Sequence, residues 1–150
     1  MIARELMTGY PAVVAADETL SAAADLMRTR GVGMLPVVEG LANRTLVGVI
    51  TDRDIVVRSV ALRHGPSAKV REHMSREPLV TVSATTPLED VAALMRQYQV
   101  RRLPVVDAKG CVVGVVAQAD LALSVGPRDP LLVEQLLEGI SRRGALVARA

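Results

Sequence analysis

Tryptophan and phenylalanine are absent from this chain, and Tyr10 and Tyr98 are its only aromatic residues. Two tyrosines cannot build the stacking platform that single-stranded nucleic acid requires. The net charge is only +2, and no long basic stripe or helix-turn-helix pattern appears. Nucleic acid is therefore not an expected partner. A single cysteine, Cys111, excludes an internal disulfide and fits a reducing compartment. With only two histidines beside it, Cys111 argues against a dedicated four-ligand zinc site. No apolar run approaches the ~20 residues that cross a bilayer, and the start Met1-Ile2-Ala3-Arg4-Glu5 lacks the layout of a secretion signal. A cytoplasmic, membrane-free protein is the expectation. No nucleophile–His–acid arrangement, phosphate loop or dinucleotide fingerprint is present, so an enzyme is not expected.

What is present is aliphatic and repeated. Half of the 150 residues are hydrophobic, mostly Val, Ala and Leu. Arg4-Glu5-Leu6-Met7-Thr8 is echoed by Arg71-Glu72-His73-Met74-Ser75, and Pro11 by Pro78. Leu35-Pro36-Val37-Val38-Glu39 returns as Leu103-Pro104-Val105-Val106-Asp107. Val47-Gly48-Val49-Ile50-Thr51-Asp52-Arg53-Asp54-Ile55 returns as Val113-Gly114-Val115-Val116-Ala117-Gln118-Ala119-Asp120-Leu121. Such ordered self-similarity marks a tandem duplication. The division is repeat 1 over residues 1–66, repeat 2 over 67–126, and a C-terminal helix and tail over 127–150. A lone unit of ~60–70 residues buries only about 60% of its surface, so the two should lean on each other.

Each copy reads β-α-β-β-α, an α/β (α+β) fold class. Leu20, Ala23, Ala24 and Met27 share a helix face, with Asp17 or Thr19 as cap and Gly31 suited to a left-handed C-terminal cap. Thr86-Pro87-Leu88-Glu89 fits a capping box with proline in the first turn. Strand-like runs cover Ala12 to Ala15 and Leu79 to Val82, then Met34 to Val38 and Thr45 to Thr51, and Arg102 to Val106 and Cys111 to Ala117. Asp107 to Gly110 signals a hairpin. His64-Gly65-Pro66-Ser67 reads as the linker, with His64 and His73 facing solvent. Cys111 reads as a half-buried apolar residue. Beyond Gly126-Pro127, Asp129 and Pro130 open an amphipathic helix with Leu132, Leu136 and Ile140 on one face, flanked by Val133 and Leu137. Arg142 and Arg143 read as a solvated helix face.

These motifs resemble a tandem pair of CBS domains, the regulatory Bateman module, and in particular small stand-alone bacterial CBS-pair proteins. The likeness covers about Ile2 to Val125 and rests on Met-Thr/Ser then Pro, Leu-Pro-Val-Val, and Gly-Val-Ile-Thr-Asp-Arg-Asp-Ile. It implies two repeats packed with pseudo-twofold symmetry and an adenosine nucleotide (AMP, ADP or ATP) held as a regulatory ligand in a cleft between them, with no cofactor required. Thr51 and Asp54 would contact ribose and α-phosphate, since one carboxylate can accept from two vicinal hydroxyls. The base would lie between Val49, Leu79, Val80 and Pro104. Arg101 and Arg102 would approach the phosphates, where a planar guanidinium fork serves well. The same Thr51 and Asp54 also suit a plain helix cap, and Arg101 and Arg102 a solvated strand edge.

A second, weaker site would use Ala12, Val13, Pro36, Arg53, Ala117 and Asp120. It lacks the hydroxyl of Thr51, and Gly33-Met34 replace the two arginines. One good site per chain is the expectation, with a homodimer and a regulated partner protein acted on in trans. The alternatives are a dimerisation or interaction platform without nucleotide, and a binder of another adenosyl ligand such as S-adenosylmethionine or NADH.

Overall fold

Thr19 opens the first long helix: its hydroxyl accepts from the Ala22 amide at 3.1 Å, which selects Thr19 over Asp17 as the cap. The computed structural model describes residues 1–141; Arg142 and Arg143 lie outside the described residues. Helix α1 (Leu20–Arg30) buries Leu20, Ala23 and Met27. It stops where Gly31 takes φ 63° and returns its amide to the Met27 carbonyl. Helix α3 (Leu88–Tyr98) is its counterpart and buries Leu88, Val91, Ala92 and Met95. The expected capping box at Thr86 is not formed, and Pro87 is the cap. The Thr86 hydroxyl instead accepts from the Ser83 amide at 3.0 Å, a local turn that competes successfully for the same oxygen.

Among the described residues, two small sheets and five α-helices make a mixed α/β architecture. In one, β3 (Met34–Val38) lies between β2 (Val14–Ala15), parallel, and β4 (Leu46–Thr51), antiparallel. In the other the order is β1 (Thr8–Gly9), β7 (Val112–Ala117), β6 (Arg102–Val106) and β5 (Val82–Ser83). Strands β2 and β5 are shorter than the sequence runs suggest. Each pairs with its neighbour through two residues only. All five residues of β3 are buried, which accounts for its unbroken apolar sequence.

The helices that follow β4 and β7 differ. After β7, α4 (Gln118–Val125) is regular. After β4, α2 (Asp52–Asp54) makes one turn and continues as a π-helix over Ile55–Val60. Ile55, Val56 and Val57 are consecutive β-branched residues, which crowd a tight helix, whereas Leu121, Ala122 and Leu123 favour one.

The chain forms two structural units, and neither is a continuous stretch of sequence. The first holds Met1–Gly9, Val80–Asp107 and the chain from Val113; the second holds Tyr10–Leu79 and Ala108–Val112. Each unit thus contains the opening segment of the other repeat. In the first, Thr8 and Gly9 pair with Val115 and Gly114. In the second, Ser75 bridges Val49, with both amides bonded to the opposite carbonyls at 3.0 and 2.8 Å. The strand glycines permit these docks. A Cβ at Gly48 would lie 2.9 Å from both the Met74 sulfur and the Ser75 carbonyl oxygen, and a Cβ at Gly114 would collide with Met7. The first core centres on Val91, Met95, Leu103, Val105, Val116 and Leu121. The second centres on Leu20, Leu35, Val37, Ile50 and Val70.

Two further elements depart from or complete the sequence reading. His73 is not solvent-facing: it is 3% exposed. Its Nδ1 lies 2.9 Å from the Lys69 carbonyl, which can only accept, so Nδ1 carries the hydrogen. His73 Nε2 and His64 Nδ1 share a hydrogen bond across 2.8 Å. Buried Ser59 donates to the His64 carbonyl at 3.3 Å and fixes the same turn. Helix α5 (Pro130–Ser141) begins as expected, with the Leu132 amide donating to Asp129 Oδ1 at 3.0 Å. It packs on α3 and α4 of its own chain and buries Leu136 and Ile140.

Candidate functional site

Thr51 ends β4 and caps α2, and Asp54 sits three residues on. Their bonds are reciprocal: the Asp54 amide donates to Thr51 Oγ1 at 3.1 Å, and the Thr51 amide donates to Asp54 Oδ2 at 2.9 Å. This is a capping box, as the plainer reading of the pair required. Capping does not exhaust either group. The Thr51 hydroxyl keeps its own hydrogen, and the carboxylate keeps lone pairs on both oxygens. The Asp54 side chain is 13% exposed, so the cap holds it rigid at a partly dry position.

Arg58, four residues further along the helix, was not picked out in the sequence. Its Nε lies 3.7 Å from Asp54 Oδ1. Its Nη1 donates to the carbonyls of His73 and Met74 at 3.4 and 3.5 Å. The i, i+4 spacing of an acid before a base on one helix face was the available signal. Val49 stands two residues before Thr51 on β4, half-buried, with its backbone committed to Ser75. Leu79, in the same unit, is half-buried.

In the other unit, Arg101 and Arg102 are exposed at the start of β6. They line an open cavity of about 380 Å³ together with Ala117, Gln118, Ala119 and Leu137. The structure therefore groups the two arginines with Ala117, which the sequence reading had assigned to the weaker site. Gln118 is held there by its amide, which donates to the Arg101 carbonyl at 2.8 Å. The sequence reading placed Gln118 in the repeated motif and Leu137 on the apolar face of the last helix, and assigned neither to a site. Asp120 repeats half of the Thr51–Asp54 arrangement: its Oδ2 accepts from the Ala117 amide at 2.9 Å. The other half is lost, because alanine has no hydroxyl to cap α4. Val80 is half-buried and Pro104 is buried in β6.

The corresponding end of β3 is the electrostatic opposite. Gly33 supplies no side chain, and a Cβ there would lie 3.0 Å from Asp52 Oδ2. A carboxylate thus stands at Gly33 in one unit, while two guanidiniums stand at Arg101 and Arg102 in the other. Of the remaining residues of the weaker site, Arg53 is exposed on α2, Ala12 is half-buried, and Val13 and Pro36 are buried. Val13 borders a separate cavity of about 280 Å³ beside α1, rimmed by Glu18 and Asp25.

One charge in the second unit is tuned. Arg71 donates from Nε to Asp17 Oδ1 at 3.1 Å, and its Nη2 lies 3.4 Å from Glu39 Oε1. The hydrogen bond to Asp17, then its charge, raises the guanidinium above its already high ordinary value. Arg71 belongs to the repeated Arg-Glu motif and fastens the turn Val70–Glu72 to the loop before α1. Among the described residues, no group of three or more His, Cys, Asp or Glu side chains is placed to hold a metal ion, and no helix is long and apolar enough to cross a membrane.

Comparison with known proteins places this geometry in context. The family described as CBS domain matches residues 3–60 and 70–126. The CBS domain-containing protein YhcV of Bacillus subtilis is 42% identical over 121 residues, covering 81% of this chain and 83% of that one. The solved CBS domain pair of protein MJ0100, in complex with 5-methylthioadenosine and S-adenosyl-L-methionine, superposes with a TM-score of 0.73 at 26% identity, covering 85% of this chain and 98% of that one. The structure of CBSX2 in complex with AMP gives a TM-score of 0.70 at 30% identity, covering 83% and 95%.

Proposed function

Because the chain belongs to the CBS domain family, we propose that it is a non-catalytic regulatory module whose ligand is an adenosine nucleotide. The observation that carries this reading is the Thr51–Asp54 pair: a hydroxyl with a spare hydrogen and a rigid carboxylate with spare lone pairs, side by side at a strand end. That set suits the vicinal hydroxyls of a ribose. AMP in CBSX2, and 5-methylthioadenosine and S-adenosyl-L-methionine in MJ0100, support the adenosyl class. Arg101 and Arg102 favour a phosphate-bearing member of that class over an uncharged one. Val49, Leu79, Val80 and Pro104 complete the assignment as aliphatic contacts for the base. The set Ala12, Val13, Pro36, Arg53, Ala117 and Asp120 is assigned a weak site or none, since Ala117 lacks the hydroxyl and Asp52 stands at Gly33.

The same proposal includes a cytoplasmic location, pairing with a second copy, and a partner regulated in trans. Leu136 and Ile140 are already buried within the chain, so pairing would draw on other apolar residues, such as exposed Val56, Val57, Val60 and Leu62. The test is titration calorimetry with AMP, ADP, ATP, S-adenosylmethionine and NADH. Binding of a phosphate-bearing adenosine ligand at one site per chain is expected. Tighter binding of S-adenosylmethionine would shift the reading to another adenosyl ligand. No heat with any ligand would leave the interaction platform.

A further inference from the structure

One wall of the arginine-lined cavity comes from outside both repeats. The family match ends at residue 126, and α5 begins at Pro130. That helix is fixed from one side. Leu136 and Ile140 are 1% and 4% exposed against α3 and α4. Gly139 lies so close to Arg96 that a Cβ would come within 2.8 Å of its Cγ, and Arg96 Nη1 donates to Gln135 Oε1 at 3.1 Å. Leu137 is not part of that packing: it is 44% exposed and borders the cavity that holds Arg101 and Arg102. Neither arginine takes part in the ion pairs made by Arg28, Arg58 and Arg71. A volume of about 380 Å³ falls at the lower end of the roughly 300–1,000 Å³ of small-molecule sites.

We propose that α5 is the selectivity wall of this cavity, with Leu137 setting how much negative charge the cavity accepts from the phosphate end of a ligand. The inference rests on the nucleotide reading above and deepens it. Two guanidiniums attract an anion, Gln118 is the single neutral polar side chain in the lining, and the rest is alanine and Leu137. Such a lining fits a phosphate carried on a less polar body. Because Leu137 is the largest apolar group there and sits on a docked helix, a charge placed at this position acts on the anion at short range, in an open cavity where salt screens it.

The experiment is calorimetric titration of AMP and ATP into the full chain and into Leu137→Arg and Leu137→Asp, with Leu131→Arg and Leu131→Asp as controls. Leu131 is 61% exposed on the same helix and does not line the cavity. Leu137→Arg should tighten binding and Leu137→Asp weaken it, each about three- to tenfold, more for ATP than for AMP and less at high salt. The Leu131 variants should bind as the unaltered chain does. If the Leu137 variants bind like the unaltered chain, or change only as much as the Leu131 variants, α5 is no selectivity wall while the nucleotide reading stands. If the unaltered chain binds neither nucleotide, both readings fall together.

Discussion

Asp54 serves two partners at once. Its Oδ2 holds the Thr51 amide and its Oδ1 faces Arg58, so the side chain is rigid before any ligand arrives. Loss of a hydrogen bond to a charged group costs about 1.5–3 kcal/mol, so Asp54→Ala should weaken nucleotide binding roughly 10- to 150-fold by calorimetry. Thr51→Ala removes the hydroxyl that caps α2 and should lower stability by about 0.5–2 kcal/mol, read from the urea midpoint. The histidine pair offers a separate test. His64→Ala leaves the buried His73 Nε2 without its hydrogen-bond partner and should cost about 1–3 kcal/mol of folding stability. Arg71 is different. Its folded-state pKa is raised, so its contribution is complete below the ordinary guanidinium value and is lost only on passing above it. Titration of the Arg71 guanidinium should therefore add no pH dependence to the denaturation midpoint between neutral pH and pH 9. Sequence showed these residues unequally. Thr51 and Asp54 were legible because their spacing is that of a cap. The His64–His73 bond was not, since two polar residues in and beyond a linker carry no periodicity that reports burial.

The helices and strands were legible where one physical preference dominated. Gly31 had to end α1, and Asp129-Pro130 had to begin α5. They were illegible where two preferences competed. Thr86 could cap α3 or close the preceding turn, and the turn prevailed. Nothing in Ile55-Val56-Val57 alone announces a π-helix rather than a strained α-helix. The strand glycines give the sharpest test at this scale. A Cβ at Gly48 meets the backbone oxygen of Ser75, which cannot give way without breaking the Val49–Ser75 bridge. A Cβ at Gly114 meets only the flexible side chain of Met7. Overpacking costs about 1–3 kcal/mol, and Gly48→Ala should lie at the upper end of that range with Gly114→Ala below it, measured by thermal denaturation.

Across the two repeats, the order of elements is shared and the chemistry is unequal. The β4 end has Thr51 and the β7 end has Ala117; the β6 start has two arginines where the β3 start has Gly33 facing Asp52. One nucleotide per chain is therefore the expected stoichiometry by calorimetry, and two equal sites would contradict the assignment. The repeat was legible because duplicated sequence stays in register, but the exchange of opening segments was not, since sequence order says nothing about which β4 or β7 a Met-Thr segment docks on. That exchange has a genetic consequence. A gene encoding only one repeat would make a chain whose opening segment has no β-strand of its own to dock on, and two such chains would each lend theirs to the other. Residues 1–66 alone should accordingly sediment as a dimer, while residues 1–79, which carry Met74 and Ser75 in the same chain, should shift toward monomer. Duplication would then have fused a trading pair into one polypeptide, and only after that fusion could the two halves diverge, one keeping the hydroxyl of Thr51 and the other carrying Arg101 and Arg102.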